Sequence, residues 1–287
     1  MTYSIYTSVD DMIKAVSVIP EEGLSGFARS KWLSVANPQT ENSKEFFGGG
    51  TGCVVEKYST PNPYEAKMVA NLKNEIEISD NCIKNRFSVC NKQTNGFMVD
   101  VKRYLDGDQR HWYSVKKKKH EYPYVRIFAP MGGIASVEDD EMMVCGALTC
   151  AVVEAFEKNC INVELWATCC ASSVVLNKNS SSICQMVKIK DASQYCDLRT
   201  IYFITGYSGF YRNIVFLDRI LTASKIGKRA FMGFGSSYDF ERKYIPDFSE
   251  EECKNAILIP RIYNKQQAKE WIEDNLNSIV EVNENEN

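Results

Sequence analysis

Cysteines and histidines are the residues of this sequence that could act as nucleophiles or metal ligands. There are eleven cysteines and two histidines in 287 residues. No Cys-x-x-Cys, His-Glu-x-x-His or Gly-x-Ser-x-Gly motif is present, so the spacings of a zinc site, a dithiol redox site or a serine hydrolase are missing. We therefore predict no catalytic residues, no metal ligands and no cofactor, and we expect most of the cysteines to be small reduced residues of the core.

The densest group of basic residues runs from Lys116 to Lys119, and Trp112 lies shortly before it. Lysines neutralise phosphates and aromatic rings stack on bases, so this mixture is typical of nucleic-acid binding. One hypothesis is therefore a nucleic-acid-associated accessory protein that uses Lys116, Lys117, Lys118, Lys119 and Trp112. The alternative is a solvated hairpin turn between strands at 111–115 and 122–129. The net charge of −3 does not favour binding of nucleic acid.

Carboxylates could support an enzyme that acts on a nucleotide or phosphate. The available residues are Asp139, Asp140, Asp239 and Glu241, but nothing in the sequence fixes the distances between them. The glycine-rich stretch at 46–52 ends in Gly-Cys, whereas a phosphate-binding P-loop ends in Gly-Lys-Ser/Thr. The enzyme hypothesis is therefore kept only as an alternative.

A glycine turn, Met131-Gly132-Gly133, separates a predicted strand from a predicted helix that Ser136 would cap. In parallel α/β sheets, ligands bind beyond the carboxyl ends of strands, and a helix N-terminus there favours anions. We therefore predict partner binding at Met131, Gly132, Gly133 and Ser136, with an acidic side chain of the partner as a suitable occupant. Two glycines that simply permit a tight turn are the alternative.

Apolar periodicity and capping residues predict the elements that would position these groups. Predicted helices cover 8–19, 24–36, 62–77, 97–105, 136–158, 208–221 and the residues after Asn264; predicted strands cover 122–130, 161–168, 183–189 and 257–262. The segment at 197–205 fits a helix and a strand equally well. Among the residues expected to be buried are Phe27 and Trp32. The strand–helix–strand order at 122–168 predicts two neighbouring parallel strands joined by a crossover helix.

The fold class expected from this order is α/β, with a mostly parallel sheet flanked by helices. We place a helical, irregular N-terminal region at 1–110, packed on an α/β core at 111–287. The composition, with 44% hydrophobic and 25% charged residues, is that of an ordinary globular chain. No apolar run is long enough to span a membrane, and no signal peptide is visible, so we expect a cytoplasmic protein.

The stretch YVRIFAPMGGIAS, followed by GALTCAVVEAFEKNCINVELWA, resembles the opening strand–helix–strand unit of von Willebrand factor A-like domains. The wider pattern, with VDVKRYLDGD at 99–108 and LIPRIY before a Trp-containing helix, resembles an uncharacterised bacteriophage protein family with a degenerate core of this type. The resemblance implies a Rossmann-like or von Willebrand factor A-like sheet and an origin in a phage or mobile element.

The metal-dependent adhesion site of von Willebrand factor A domains is not preserved in this resemblance. That site uses Asp-x-Ser-x-Ser after the first strand, because a hard cation needs oxygen ligands. The corresponding residues here are Pro130, Gly132 and Ile134, and the later Thr205-Gly206 lacks the expected carboxylate. The resemblance therefore implies a fold of this type without its metal.

Together these observations predict a non-enzymatic protein-interaction module that presents the loops at the carboxyl ends of its strands to a protein partner. The nucleic-acid and enzyme hypotheses remain the alternatives. The sequence leaves open the identity of the partner, the oligomeric state, and whether the protein is a virion component or acts in the cytoplasm of a host cell.

Overall fold

The structure is a computed structural model. It describes residues 1–18, 24, 26–60, 63–76, 78, 89–93, 98–99, 112–115, 124–133, 136–158, 161–172, 182–194, 197–225, 236–244 and 256–277. Its strands are β1 (Thr2–Tyr6), β2 (Val89–Gln93), β3 (Met98–Val99), β4 (Trp112–Val115), β5 (Tyr124–Pro130), β6 (Asn162–Ser172), β7 (Ser182–Lys190), β8 (Ser236–Tyr238) and β9 (Ile257–Leu258). Its longer helices are α1 (Val9–Ser17), α2 (Gly26–Ala36), α3 (Glu41–Phe46), α4 (Thr51–Ser59), α5 (Pro63–Glu75), α6 (Asp139–Lys158), α7 (Leu198–Gly206), α8 (Phe216–Lys225) and α9 (Lys265–Ile272).

The main sheet has six strands and the predicted α/β class is confirmed. Its order is β1-β7-β6-β5-β9, and β8 pairs with β6 outside this path. Strand β1 is parallel to β7, and β5 is parallel to both β6 and β9, whereas β6 is antiparallel to β7 and β8. The sheet is therefore mixed rather than mostly parallel.

The predicted strand–helix–strand unit is present as β5, α6 and β6. Val125 lies opposite Val163 and Pro130 opposite Thr168 in the parallel register. Helix α6 has buried residues all round rather than along one stripe, because it lies between the sheet and other helices. A Cβ on Gly146 would lie 2.6 Å from the Cα of Gly206, so the glycine of α6 permits close packing on α7.

The ambiguous segment at 197–205 is a helix, α7, whose N-cap is Asp197. After it, Ser208–Phe210, a π-helical turn at Tyr211–Val215 and α8 follow in sequence. The sequence predicted an amphipathic helix here, but nearly all of its residues are buried. A π turn inserts one residue into the helical ladder and rotates the residues that follow, and such turns are frequent at functional sites.

Two hydrophobic clusters cover the same face of the sheet. One lies among β5, β6, α6 and α9, and the other joins α1, α2 and α8 to β6 and β7. In the second cluster Trp32 is buried as predicted, but Phe27 on the same helix is exposed, so its predicted burial is wrong. The helix period places Phe27 on the solvent side of α2, five residues from Trp32.

The N-terminal part of the chain contains elements that the sequence did not predict. Strand β1 was missed, as were α3 and α4, which flank Gly48, Gly49 and Gly50. All three glycines have positive φ, a backbone conformation that other residues rarely adopt, so they make the turn between the two helices. By contrast, the predicted start of the helix at Ser8 is confirmed, because Ser8 caps α1 and its side chain accepts a hydrogen bond from the N–H of Asp11.

A separate three-stranded sheet has the order β2-β4-β3. Strand β4 pairs antiparallel with β2 and β3, whereas β5 belongs to the main sheet. The hairpin suggested between 111–115 and 122–129 is therefore wrong, since the pairing partners of β4 come from earlier in the chain. The predicted helix at 97–105 is wrong at Met98–Val99, which form β3; its other residues lie outside the described part.

Candidate functional site

The predicted partner-binding turn follows β5 at the carboxyl edge of the sheet. Met131 is completely buried, and its N–H donates to the carbonyl of Thr168 at 2.9 Å, which ties the turn to β6. Gly133 is buried, Gly132 is half-buried and Ser136 is exposed. Of the four predicted residues, Ser136 therefore has the side chain that a partner can reach directly.

Tyr211, from the π turn, fills the space beside the two glycines. Its hydroxyl donates to the carbonyl of Gly133 at 2.6 Å, and a Cβ on Gly132 would lie only 2.4 Å from its ring. Gly132 is therefore required for the close approach of the Tyr211 ring. Partner binding at the turn stays a prediction.

The residue after Tyr211 forms the first of two ion pairs at this edge. Arg212 donates through Nη1 to Oδ1 of Asp139 at 3.0 Å and through Nη2 to the carbonyl of Val137, and its guanidinium lies 4.7 Å from the centre of the Phe46 ring. The Arg212 side chain is 12% exposed and that of Asp139 is 67% exposed. The arginine is therefore held by its contacts with Val137 and Phe46, while the carboxylate of Asp139 faces water.

Arg261 and Asp239 form the second ion pair with the same asymmetry. Both the backbone N–H and Nε of Arg261 donate to Oδ1 of Asp239, at 3.3 and 2.9 Å. The arginine side chain is 13% exposed and the aspartate 56%. Burial lowers the pKa of Arg261, but the hydrogen bond and charge of Asp239 outweigh this effect and raise it. Nη1 of Arg261 is buried and has no hydrogen-bond partner among the described residues.

Tyr263 interacts both with the Arg261–Asp239 pair and with residues of α6. Burial raises the pKa of its hydroxyl, Arg261 lowers it, and the charges of Asp239, Cys145 and Glu141 raise it. Strand β9 is parallel to β5, so the chain after β9, with Arg261, and the chain after β5, with the start of α6, leave the sheet on the same side. The first turn of α6 and the Arg261 pair therefore belong to the same edge of the sheet, beyond β5 and β9.

The start of α6 differs from the prediction. The helix begins at Asp139, three residues after Ser136, so the predicted capping role of Ser136 is wrong. Instead, the side chain of Glu141 accepts the N–H of Glu138 at 2.9 Å. Carboxylates of the chain itself already occupy the positive end of this helix, and they disfavour the acidic partner side chain suggested from the sequence.

A different set of polar residues is buried where α8 packs against β1, β7 and β6. Asp218 on α8 accepts hydrogen bonds from Tyr6 at 2.6 Å, Ser4 at 2.9 Å and Gln185 at 2.6 Å. Arg219 is fully buried beside it and donates to Gln185 at 3.1 Å and to Sγ of Cys169 at 3.1 Å. Burial raises the pKa of Asp218, although the three donors and the charge of Arg219 oppose it. This network joins β1, β6 and β7 to α8.

The other residues singled out in the sequence occupy different environments. Lys116, Lys117, Lys118 and Lys119 lie outside the described residues, and Trp112 belongs to β4. Asp139 and Asp239 pair with different arginines, and Glu241 pairs with Lys243 at 2.7 Å on the surface. Thr205, placed by the resemblance in a loop after a strand, is inside α7, where its hydroxyl donates to the carbonyl of Ile201.

Within the described ranges, no group of three or more histidine, cysteine or carboxylate side chains could hold a metal ion. In the same part of the chain, no helix is long and apolar enough to cross a membrane. Five of the six cysteines seen as free thiols there are buried, which confirms the prediction of core cysteines for those five; Cys53 is exposed.

Tyr211, Arg212 and Arg261 were not predicted from the sequence. Their partners lie far away in the sequence, for example 73 residues between Asp139 and Arg212, so no local spacing reveals the pairs. A signal was available for the buried network instead, since the consecutive charges of Asp218 and Arg219 lie between the apolar pairs Phe216-Leu217 and Ile220-Leu221. A buried charged residue of this kind requires partners from other elements.

Comparison with known proteins gives a family but no characterised relative. No curated protein matches the chain, and no solved structure matches it. Residues 3–281 match the model of a family described as Domain of unknown function (DUF7192), which covers nearly the whole chain. The chain therefore belongs to the DUF7192 family.

Proposed function

We propose that this protein is a non-enzymatic interaction module that binds a basic segment of a partner protein at the carboxyl edge of its main sheet. The observation that carries the proposal is the pair of exposed aspartates, Asp139 and Asp239, each held by a mostly buried arginine. The proposal keeps the location predicted from the sequence and replaces the acidic partner with a basic one.

The carboxylates of Asp139 and Asp239 are suited to binding because their arginines already hold them in one position in the free protein. Both arginines engage Oδ1 of their aspartate, and among the described contacts neither Oδ2 accepts a hydrogen bond. A lysine or arginine of the partner could bind the second oxygen in a charge-assisted hydrogen bond. The complex then costs less conformational entropy than one formed with two mobile carboxylates, because the two aspartates are already ordered.

The surroundings of Asp139 are also acidic, because Glu138 and Asp140 are exposed next to it. Near Asp239 in the sequence, Glu241 is exposed and pairs with Lys243. A basic segment would be attracted to this edge from a distance, and salt would weaken the attraction. An acidic segment or a nucleic acid would be repelled by it.

We also propose that the protein is related to von Willebrand factor A-like domains and that it comes from a bacteriophage. The parallel β5 and β6, joined by α6, and the use of their carboxyl edge support the first. The antiparallel β7 and the helical position of Thr205 are departures that the relationship has to accommodate. The phage origin and the cytoplasmic location rest on the sequence alone and remain predictions.

The test compares two triple variants that remove the same number of charges. The edge variant is Asp139→Asn, Asp140→Asn and Asp239→Asn; the control is Glu56→Gln, Glu270→Gln and Glu273→Gln, at exposed positions of α4, α9 and the turn after α9. Proteins captured from the native source by the two variants and the unchanged chain are quantified by mass spectrometry.

We expect a partner with a basic segment that is recovered by the unchanged chain and the control and lost with the edge variant. Its recovery should decrease as salt increases. Equal recovery by the edge variant and the control would contradict the proposal, and so would a captured partner whose cross-links to the chain avoid the residues around Asp139 and Asp239.

A further inference from the structure

Strand β1 forms one edge of the main sheet and carries an exposed apolar row. Met1, Tyr3 and Ile5 are 47%, 37% and 43% exposed, and they alternate with residues that face α8. In the register with β7, Tyr3 lies beside Cys184 and Ile5 beside Met186, both of which belong to a buried cluster. The exposed row therefore continues a buried apolar face of the sheet outward to its edge.

The edge is held in place from its other face. The hydroxyls of Ser4 and Tyr6 both donate to the buried carboxylate of Asp218. These two hydrogen bonds fix β1 against α8. The strand is thus presented as a fixed template, and among the strands that the structure describes, none pairs with its outer side.

The residues of β1 themselves carry none of the side-chain or backbone features that usually prevent pairing at an edge strand. Natural edge strands carry lysine, other charges, proline or a bulge that prevent pairing with another chain. The first nine residues, MTYSIYTSV, contain no charged side chain and no proline, and the pairing of β1 with β7 has no register shift. Pairing through this edge would therefore meet no charge repulsion from the side chains of the strand itself.

The strand is also complementary to itself. When two copies run antiparallel about a two-fold axis at Ser4, the centre of β1, all five residues of each strand overlap. Tyr3 of each copy then lies opposite Ile5 of the other, so the pair forms twice. An aromatic residue opposite a β-branched residue is a favourable cross-strand pair. We propose that a second copy of this chain binds at β1, so that two main sheets join into one continuous sheet across a two-fold axis.

This arrangement closes at two copies. A two-fold contact uses the same patch of both chains, and each copy has only one β1 edge to offer. The opposite end of the strand order is β9, which has two residues and is too short to serve as an equivalent edge. Because five residues make a small interface, we expect a reversible dimer with a Kd on the order of 10 μM rather than an obligate one.

Sedimentation of the full chain over a range of concentrations tests the proposal. We expect a monomer–dimer equilibrium in the unchanged chain and at least an approximately 10-fold weaker dimer with Ile5→Lys, because a lysine at an edge strand opposes pairing. The matched control is Leu33→Lys on α2, since Leu33 is 43% exposed, as is Ile5. Near-ultraviolet circular dichroism confirms that each variant keeps its tertiary packing.

A mixing experiment tests the register. Tyr3→Glu and Ile5→Lys chains should each dimerise poorly alone but form a mixed dimer together. In the mixed dimer the introduced glutamate of one chain would lie opposite the introduced lysine of the other, while the second Tyr3–Ile5 pair is kept. Mixing Ile5→Glu with Ile5→Lys should give much weaker recovery. A native chain that stays monomeric up to concentrations on the order of 100 μM would overturn the proposal, as would equal effects of Ile5→Lys and Leu33→Lys.

Discussion

The carboxyl edge of the main sheet and the buried network of Asp218 both place aspartate beside arginine, but the aspartates differ in burial. At the carboxyl edge, Arg212 and Arg261 are mostly buried and their aspartates face water. In the buried network, Asp218 and Arg219 are both buried, and neutral donors from β1 and β7 surround the carboxylate. The comparison separates charges that hold the fold together from charges that are left available to another molecule.

The physical reason for the difference is the cost of removing a charge from water. A buried carboxylate loses its hydration and needs several donors in compensation, so removing any part of the network leaves the rest uncompensated. An exposed carboxylate keeps most of its hydration and contributes little to folding. The two regions should therefore respond differently to the same substitution of aspartate.

The largest effect should come from Asp218→Ala. This substitution removes the acceptor of Ser4, Tyr6 and Gln185 and leaves the buried Arg219 without the negative charge beside it. We expect the free energy of unfolding in urea to decrease by about 3–5 kcal/mol. Tyr6→Phe, which removes one donor and keeps the charges, should cost only about 1 kcal/mol. A loss of similar size in both variants would mean that Asp218 does not hold the network together.

The next effect concerns the packing of Tyr211 at the carboxyl edge. Gly132→Ala places a methyl group where the Tyr211 ring lies, at 2.4 Å, and should reduce the free energy of unfolding by about 1–3 kcal/mol. The control is Gly52→Ala in α4, where an added Cβ meets no atom within 4 Å. That substitution should stabilise the protein by about 0.5–1 kcal/mol, since alanine favours a helix over glycine. The melting temperature should decrease for Gly132→Ala and increase for Gly52→Ala, relative to the unchanged chain.

How much of this could be predicted from the sequence depends on the range of the interactions. The β5–α6–β6 unit and the caps at Ser8 and Asn264 follow from local periodicity and local hydrogen bonds, and they were predicted. Strand β1 has only five residues and pairs with β7, which begins 180 positions after Thr2, so no neighbouring turn or partner identifies it.

The candidate site was predicted in position but not in composition. The glycines after β5 correctly indicated a turn at the carboxyl edge, because a tight turn needs them wherever the strand ends. What fills the turn is Tyr211, and what anchors the aspartates are Arg212 and Arg261. These residues reach the edge only through the packing of the helical segment after α7 and the chain after β9, which no local pattern specifies.

The buried carboxylate of Asp218 should determine the direction in which stability changes with pH. Because burial raises the pKa of Asp218 in the folded state, the folded chain binds this proton more tightly than the unfolded chain does. Above the raised pKa, the ionised Asp218 carboxylate therefore lowers the free energy of unfolding. As pH falls through that pKa towards the ordinary aspartate value of about 3.9, the unchanged chain should gain stability relative to Asp218→Asn.

The opposite sign is expected at an exposed ion pair. Lys44 lowers the pKa of Glu41 through a hydrogen bond and its charge. Its contribution is present above the ordinary glutamate pKa and is lost as pH falls through the lowered value, so the unchanged chain should lose stability relative to Glu41→Gln. Urea unfolding at a series of pH values measures both differences. Equal signs for the two substitutions would contradict the assignment of Asp218 as a desolvated carboxylate.

The smallest effect on folding should come from Asp239→Asn, although this aspartate belongs to the proposed binding edge. The amide keeps an oxygen that can accept from the backbone N–H and Nε of Arg261, and it removes only the charge. We expect a loss of less than about 1 kcal/mol that shrinks further at high salt, because the carboxylate is 56% exposed. Asp218→Asn, measured in the same way, should cost clearly more. If Asp239→Asn were the more destabilising of the two, the Arg261 pair would serve to hold the fold, and its carboxylate would not be available to a partner.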